Sequence, residues 1–168
     1  MSLVLIGAPG SGKTRLGKRV ARILDLPFID TDRRIVADHG PIPALFETYG
    51  EPHFRGLERE AVVAALAEDA VVSLGGGAVL DLDTQRDLEG HRVVLVTVSA
   101  EAVASRIANA RRPLLKDGIE SWKALIESRR ELYERLGQRS WDTSTRPIDD
   151  IAQEIAAWTA TEPKEPAR

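Results

Sequence analysis

The segment Gly7-Ala8-Pro9-Gly10-Ser11-Gly12-Lys13-Thr14 constrains this chain more than any other. It fits G-x-x-x-x-G-K-[ST], and it follows residues 3–6, a short, fully apolar run of the kind that becomes a buried parallel strand. Beyond it, Leu16, Val20, Ile23 and Leu24 fall at helical spacing. A strand that passes through a glycine-rich turn into a helix N-terminus collects successive backbone N–H groups into a nest for phosphate oxygens. Gly10, Ser11 and Gly12 form that nest. Lys13 reaches the β- and γ-phosphates, and the Thr14 hydroxyl is placed to ligate Mg²⁺. The segment is therefore read as a nucleotide phosphate site.

The rest of the chain alternates. Strand candidates lie at residues 28–29, 71–74 and 93–98, and helical patterns at 42–49, 52–67, 84–88, 100–108, 121–136 and 148–158. Strands alternating with helices predict an α/β fold, a parallel sheet covered on both faces. The 168 residues suit one domain, taken here as residues 1–160, with a frayed tail at 161–168.

Composition narrows the chemistry. A formal net charge of −3 argues against a nucleic-acid binder that works by broad phosphate neutralisation. The absence of Cys removes disulfides, thiolate nucleophiles and Cys-ligated metals, and His39, His53 and His91 have no metal-ligand spacing. No signal-peptide or membrane-span pattern is present, so a cytoplasmic protein with no membrane partner is expected. Of the 23 basic side chains 18 are Arg, an excess that a GC-rich genome accounts for in the main, the functional alternative being that a few of them bind planar anions through their fixed fork of donors.

A phosphate loop alone does not separate switches, motors and kinases. Asp30-Thr31-Asp32 follows the second strand, and adjacent strands of a parallel sheet open onto one crevice. Carboxylates at i and i+2 can divide labour: Asp30 helps to hold Mg²⁺ through water, and Asp32 meets an acceptor hydroxyl. Either Asp would also serve as a helix N-cap. The third strand ends in Gly75-Gly76-Gly77 without an acidic residue, which weakens the switch and motor readings. Three consecutive glycines let the backbone come close to a ligand.

Together with the phosphate loop and Asp30-Thr31-Asp32, the motifs Phe54-Arg55-x-x-Glu58, Gly75-Gly76-Gly77, Arg112-Pro113-Leu114-Leu115 and Arg129-x-x-x-Tyr133 stand in the order and spacing of shikimate kinases. The chain resembles that family over about residues 2–158. The resemblance implies a three-layer α/β/α sandwich around a central, mainly parallel five-stranded sheet. It also implies a mobile lid at about 109–120 and transfer of the ATP γ-phosphoryl to the 3-hydroxyl of shikimate. By position, Arg55 and Arg129 become the ligands of the substrate carboxylate, with Glu58 placed to hold Arg55. Gly76 and Gly77 bring backbone amides to the same substrate, and Asp32 binds its hydroxyl as the base-type residue. Arg112 enters from the lid to offset charge on the transferring phosphoryl. Arg106 and Pro147 belong to the adenine end. A monomer is expected. Another small-molecule kinase, for gluconate or a nucleoside monophosphate, and a non-catalytic ATP-binding module are the alternatives.

Overall fold

The computed structural model describes residues 1–110 and 118–161; Arg112, most of the expected lid and residues 162–168 of the expected tail lie outside the described residues. In chain order the elements are β1 (Leu3–Gly7), α1 (Lys13–Leu24), β2 (Phe28–Asp30), α2 (Thr31–His39), α3 (Ile42–Tyr49), α4 (Glu51–Leu66) and β3 (Val71–Ser73). A single 3₁₀ turn at Ala78–Leu80 leads to α5 (Leu82–Leu88), β4 (Arg92–Thr97), α6 (Ala100–Ala110), α7 (Ile119–Leu136), β5 (Arg139–Asp142) and α8 (Ile148–Thr159).

The five strands make one sheet in the order β2-β3-β1-β4-β5, and every pairing is parallel. The "mainly parallel" expectation thus becomes a wholly parallel sheet. β1 lies at its centre and is buried along its whole length, which is why it reads as an unbroken apolar run rather than an alternation. Its side chains still divide between two faces. Leu3 and Leu5 pack with Leu16 and Val20 of α1 and Ile151 and Ile155 of α8. Val4 and Ile6 pack with Val62 and Ala65 of α4, Leu88 of α5 and Tyr133 of α7. The result is the three-layer α/β/α arrangement. A smaller cluster of Ile35, Leu45 and Phe54 joins α2, α3 and α4 into an arm beside the sheet. Among the described residues, no helix is long and apolar enough to cross a membrane.

Two elements depart from the sequence reading. β5, Arg-Ser-Trp-Asp, is a polar edge strand in which only Trp141 is buried, so it carries no hydrophobic run to signal it. α2 begins directly after β2, where Asp30 accepts a hydrogen bond from the Arg33 backbone N–H. Asp30 is therefore an N-cap as well as a member of the site.

Candidate active site

Sheet order assembles the site. β2, β3 and β1 are consecutive neighbours, and their register puts Asp30 opposite Ser73 and Ser73 opposite Leu5. The loops leaving their carboxyl ends, after Gly7, Asp30 and Leu74, therefore open side by side. Thr31, fully buried, ties two of them together: its hydroxyl donates to the Ser73 carbonyl at 3.4 Å and accepts from the Gly75 amide at 3.2 Å.

The phosphate loop turns through Gly10 and Gly12, whose φ values of 79° and 87° lie in the left-handed region that side chains disfavour. Lys13 is the first residue of α1, and its ammonium donates to the Gly7 and Ala8 carbonyls, both at 2.8 Å. Burial lowers its pKa to about 8, against the opposing pull of Asp32 and Asp30. The Thr14 hydroxyl donates to Asp30 Oδ2 at 2.7 Å. That hydrogen bond commits the proton and leaves the hydroxyl lone pairs free, and an all-oxygen pair suits a hard divalent cation. Among the described residues no group of three or more His or acidic side chains is gathered to hold a metal. The Ser11 hydroxyl is buried without a hydrogen-bond partner among the described residues.

Three charged side chains converge on Gly75–Gly77. Asp32 covers Gly75, where a Cβ would stand 2.5 Å from its Oδ1. Arg129 lies against Gly76, 3.4 Å from the corresponding point, and the Arg55 guanidinium covers Gly77. Burial and the nearby Asp30 raise the Asp32 pKa, while Lys13 and Arg55 pull it down. Arg55 is fixed by an ion pair to Glu58 at 2.7 Å and a second to Glu51 at 3.3 Å. Glu58 is buried, and that burial raises its pKa despite Arg55. The adjacent arginines on α7 are separated cleanly by geometry. Arg129 faces the glycine loop, whereas Arg130 points outward into a surface pair with Glu127 at 2.8 Å.

Arg106 sits against the phosphate loop. Arg106, on α6, donates to the Gly10 carbonyl at 2.8 Å and the Thr143 carbonyl at 2.7 Å. Pro147 precedes α8, on the loop that leaves β5 through Thr143. The Thr143 hydroxyl in turn donates to the Ser11 carbonyl at 2.7 Å. Trp122 of α7 is buried and donates through Nε1 to the Pro9 carbonyl at 2.8 Å. The hydrogen bonds that Thr31, Thr143 and the Trp122 indole make to these loops are contacts that the sequence does not reveal. For the last two, the partners lie 132 and 113 residues away.

Known proteins resemble this chain over nearly its whole length. A family model described as shikimate kinase matches residues 9–160. The chain belongs to the shikimate kinase family. A shikimate kinase of Mycobacterium avium (strain 104) is 46% identical over 159 residues, covering 92% of this chain and 90% of that one. Among solved structures, a shikimate kinase from Acinetobacter baumannii in complex with shikimate superposes with a TM-score of 0.85 at 27% identity, covering 94% and 92% of the two chains. A gluconokinase from Sinorhizobium meliloti 1021 shares the fold with a TM-score of 0.61 at 22% identity, over 93% and 89% of the chains. The shikimate kinase fold is thus present over nearly the whole length.

Proposed function

We propose that the protein transfers the γ-phosphoryl group of ATP to the 3-hydroxyl of shikimate. The observation that carries this reading is the convergence of Asp32, Arg55 and Arg129 on Gly75–Gly77 beside Lys13. A small polyhydroxylated carboxylate needs cationic forks at one end and a hydroxyl acceptor at the other. Arg55, held by Glu58, and Arg129 supply the forks, and the Gly76 and Gly77 backbone closes against the ring between them. Asp32 orients the acceptor hydroxyl and takes its proton. In a loose transition state that proton leaves late, so orientation is the larger part of its work.

On the nucleotide side, backbone amides of residues 10–14 bind phosphate oxygens, and Lys13 exchanges its two carbonyl partners for the β- and γ-phosphates. Arg106 and Pro147 flank the adenine. Arg112, from the lid segment, adds positive charge at the transferring group. Mg²⁺ would be held by the Thr14 hydroxyl and, through water, by Asp30, where it neutralises phosphate charge. The enzyme is read as a cytoplasmic monomer.

The test is ADP release from MgATP with shikimate, gluconate or a nucleoside monophosphate as the added acceptor. Release that depends on shikimate alone, and stops when EDTA removes the divalent ion, is expected. Turnover with gluconate or a nucleotide but not shikimate would refute the substrate.

A further inference from the structure

The Tyr133 hydroxyl stands between two parts of the substrate side of the site. Tyr133 follows Arg129 by one helical turn on α7, is buried, and donates to the Gly76 carbonyl at 2.7 Å. The Arg129 guanidinium lies beside the same phenol, where its charge favours the ionised form, and its Nη1 also stands against Gly76. A phenol has one proton to give. With that proton committed to Gly76, its oxygen meets Arg129 only as an acceptor. The lone pairs of the phenol oxygen are thereby left to face the Arg129 N–H groups.

The two arginines of the site are thus anchored by different chemistry. Arg55 is held by the carboxylates of Glu58 and Glu51, which neutralise part of its charge. Among the described residues no carboxylate is ion-paired with Arg129, and its neutral partner orients it without cancelling its charge. We propose that Tyr133 is a positioning residue for recognition of the substrate carboxylate. It fixes one edge of the Arg129 guanidinium, leaves the other edge to the anion, and locks the Gly76 peptide against which the substrate lies. Fixing a long cationic side chain before binding reduces the rotamer entropy lost on forming its hydrogen bonds. The inference deepens the reading of shikimate as substrate and rests on it.

Tyr133→Phe keeps the ring in its packing and deletes only the hydroxyl. Steady-state kinetics are measured with shikimate and with its carboxamide, in which the anion is replaced by a neutral group. The variant should show a KM for shikimate raised roughly tenfold with the KM for ATP unchanged. The wild-type preference for shikimate over the carboxamide should shrink by the same factor, since the lost interaction acts on the carboxylate. An unchanged KM for shikimate, or equal losses for both acceptors that preserve the preference, would overturn the role. If the wild-type enzyme turns over no shikimate, the substrate reading fails and this role falls with it, an outcome distinct from failure of the variant alone.

Should the variant not fold, 3-fluorotyrosine labelling tests the same point in the native sequence. The chain has two tyrosines, and Tyr49 is exposed, so the Tyr133 resonance is the buried one. It should shift on addition of shikimate and not on addition of the carboxamide. A resonance indifferent to shikimate contradicts the proposal.

Discussion

The guanidinium carbon of Arg55 lies so close above Gly77 that a methyl group on that glycine would stand 2.9 Å from it. Gly77 has φ −94° and ψ −5°, a backbone open to any residue, so the glycine is required for space and not for conformation. The same holds along the run. Gly75 clears Asp32, Gly76 lies more loosely against Pro9 at 3.3 Å and Arg129 at 3.4 Å, and none of the three has a positive φ. Gly75 and Gly77 each make room for one charged side chain.

Gly77→Ala should therefore act on Arg55 more than on folding. The added methyl pushes the guanidinium off the loop, and the KM for shikimate should rise about tenfold, the worth of one charge-assisted hydrogen bond. The thermal midpoint should stay within a few degrees of wild type. Steady-state kinetics beside a thermal melt separate the two effects, and a collapsed melt with normal kinetics in the surviving fraction would contradict this account.

Asp32 should show a trade between stability and activity. Its pKa is raised in the folded state, chiefly by burial and then by Asp30. Between the ordinary carboxylate value and the raised one, the native state holds more protons than the unfolded chain. Stability contributed by the neutral form is lost as pH rises through that window. Above that window the ionised form is therefore a cost to folding. Asp32→Asn should raise the melting temperature at pH 7 and lose that advantage at acid pH, below the unfolded carboxylate value. Turnover should fall about a hundredfold or more, the usual contribution of a positioned base. Melts at the two pH values and a turnover assay check both halves.

Lys13 sets the alkaline limit. Its folded pKa of about 8 lies below the ordinary 10.5, so the ligand-free protein gains stability as pH rises through that interval. Nucleotide capture runs the other way, because neutral Lys13 offers phosphate no charge. The pH profile of kcat/KM for ATP should bend downward near 8, while kcat, measured with phosphate bound, should stay level to higher pH. A kcat/KM profile flat into the alkaline range would show that Lys13 stays charged in the free enzyme.

Trp122→Phe should weaken nucleotide binding selectively. The ring packing is kept, but the Pro9 carbonyl loses the donor that fixes the start of the phosphate loop. The KM for ATP should rise severalfold, with the KM for shikimate little changed. An effect confined to shikimate would contradict the role given to the indole.

What was legible in the sequence follows from how each group is built. The phosphate loop is readable because its ligand contacts come from contiguous backbone, and β1 because a strand buried on both faces leaves an apolar run. Asp30 and Asp32 are readable from their place after β2. The supports are not. Thr143 reaches Ser11 and Trp122 reaches Pro9 across most of the chain, and nothing local in Thr143 or Trp122 marks the destination. β5 escapes notice because an edge strand with one buried side chain has no periodic signal. Spacing to Tyr133 favours Arg129 over Arg130, and the structure supplies the reason: the Tyr133 hydroxyl and the glycine loop lie on Arg129's side of α7.

Phosphorus NMR of a reaction containing MgATP, shikimate and the purified enzyme tests the central claim most directly. ADP and a new phosphate monoester are expected in equal amounts, the ester phosphorus coupled to the proton on carbon 3 of shikimate. ADP with inorganic phosphate and no ester, or an ester at another hydroxyl, would contradict the roles given to Asp32, Arg55 and Arg129.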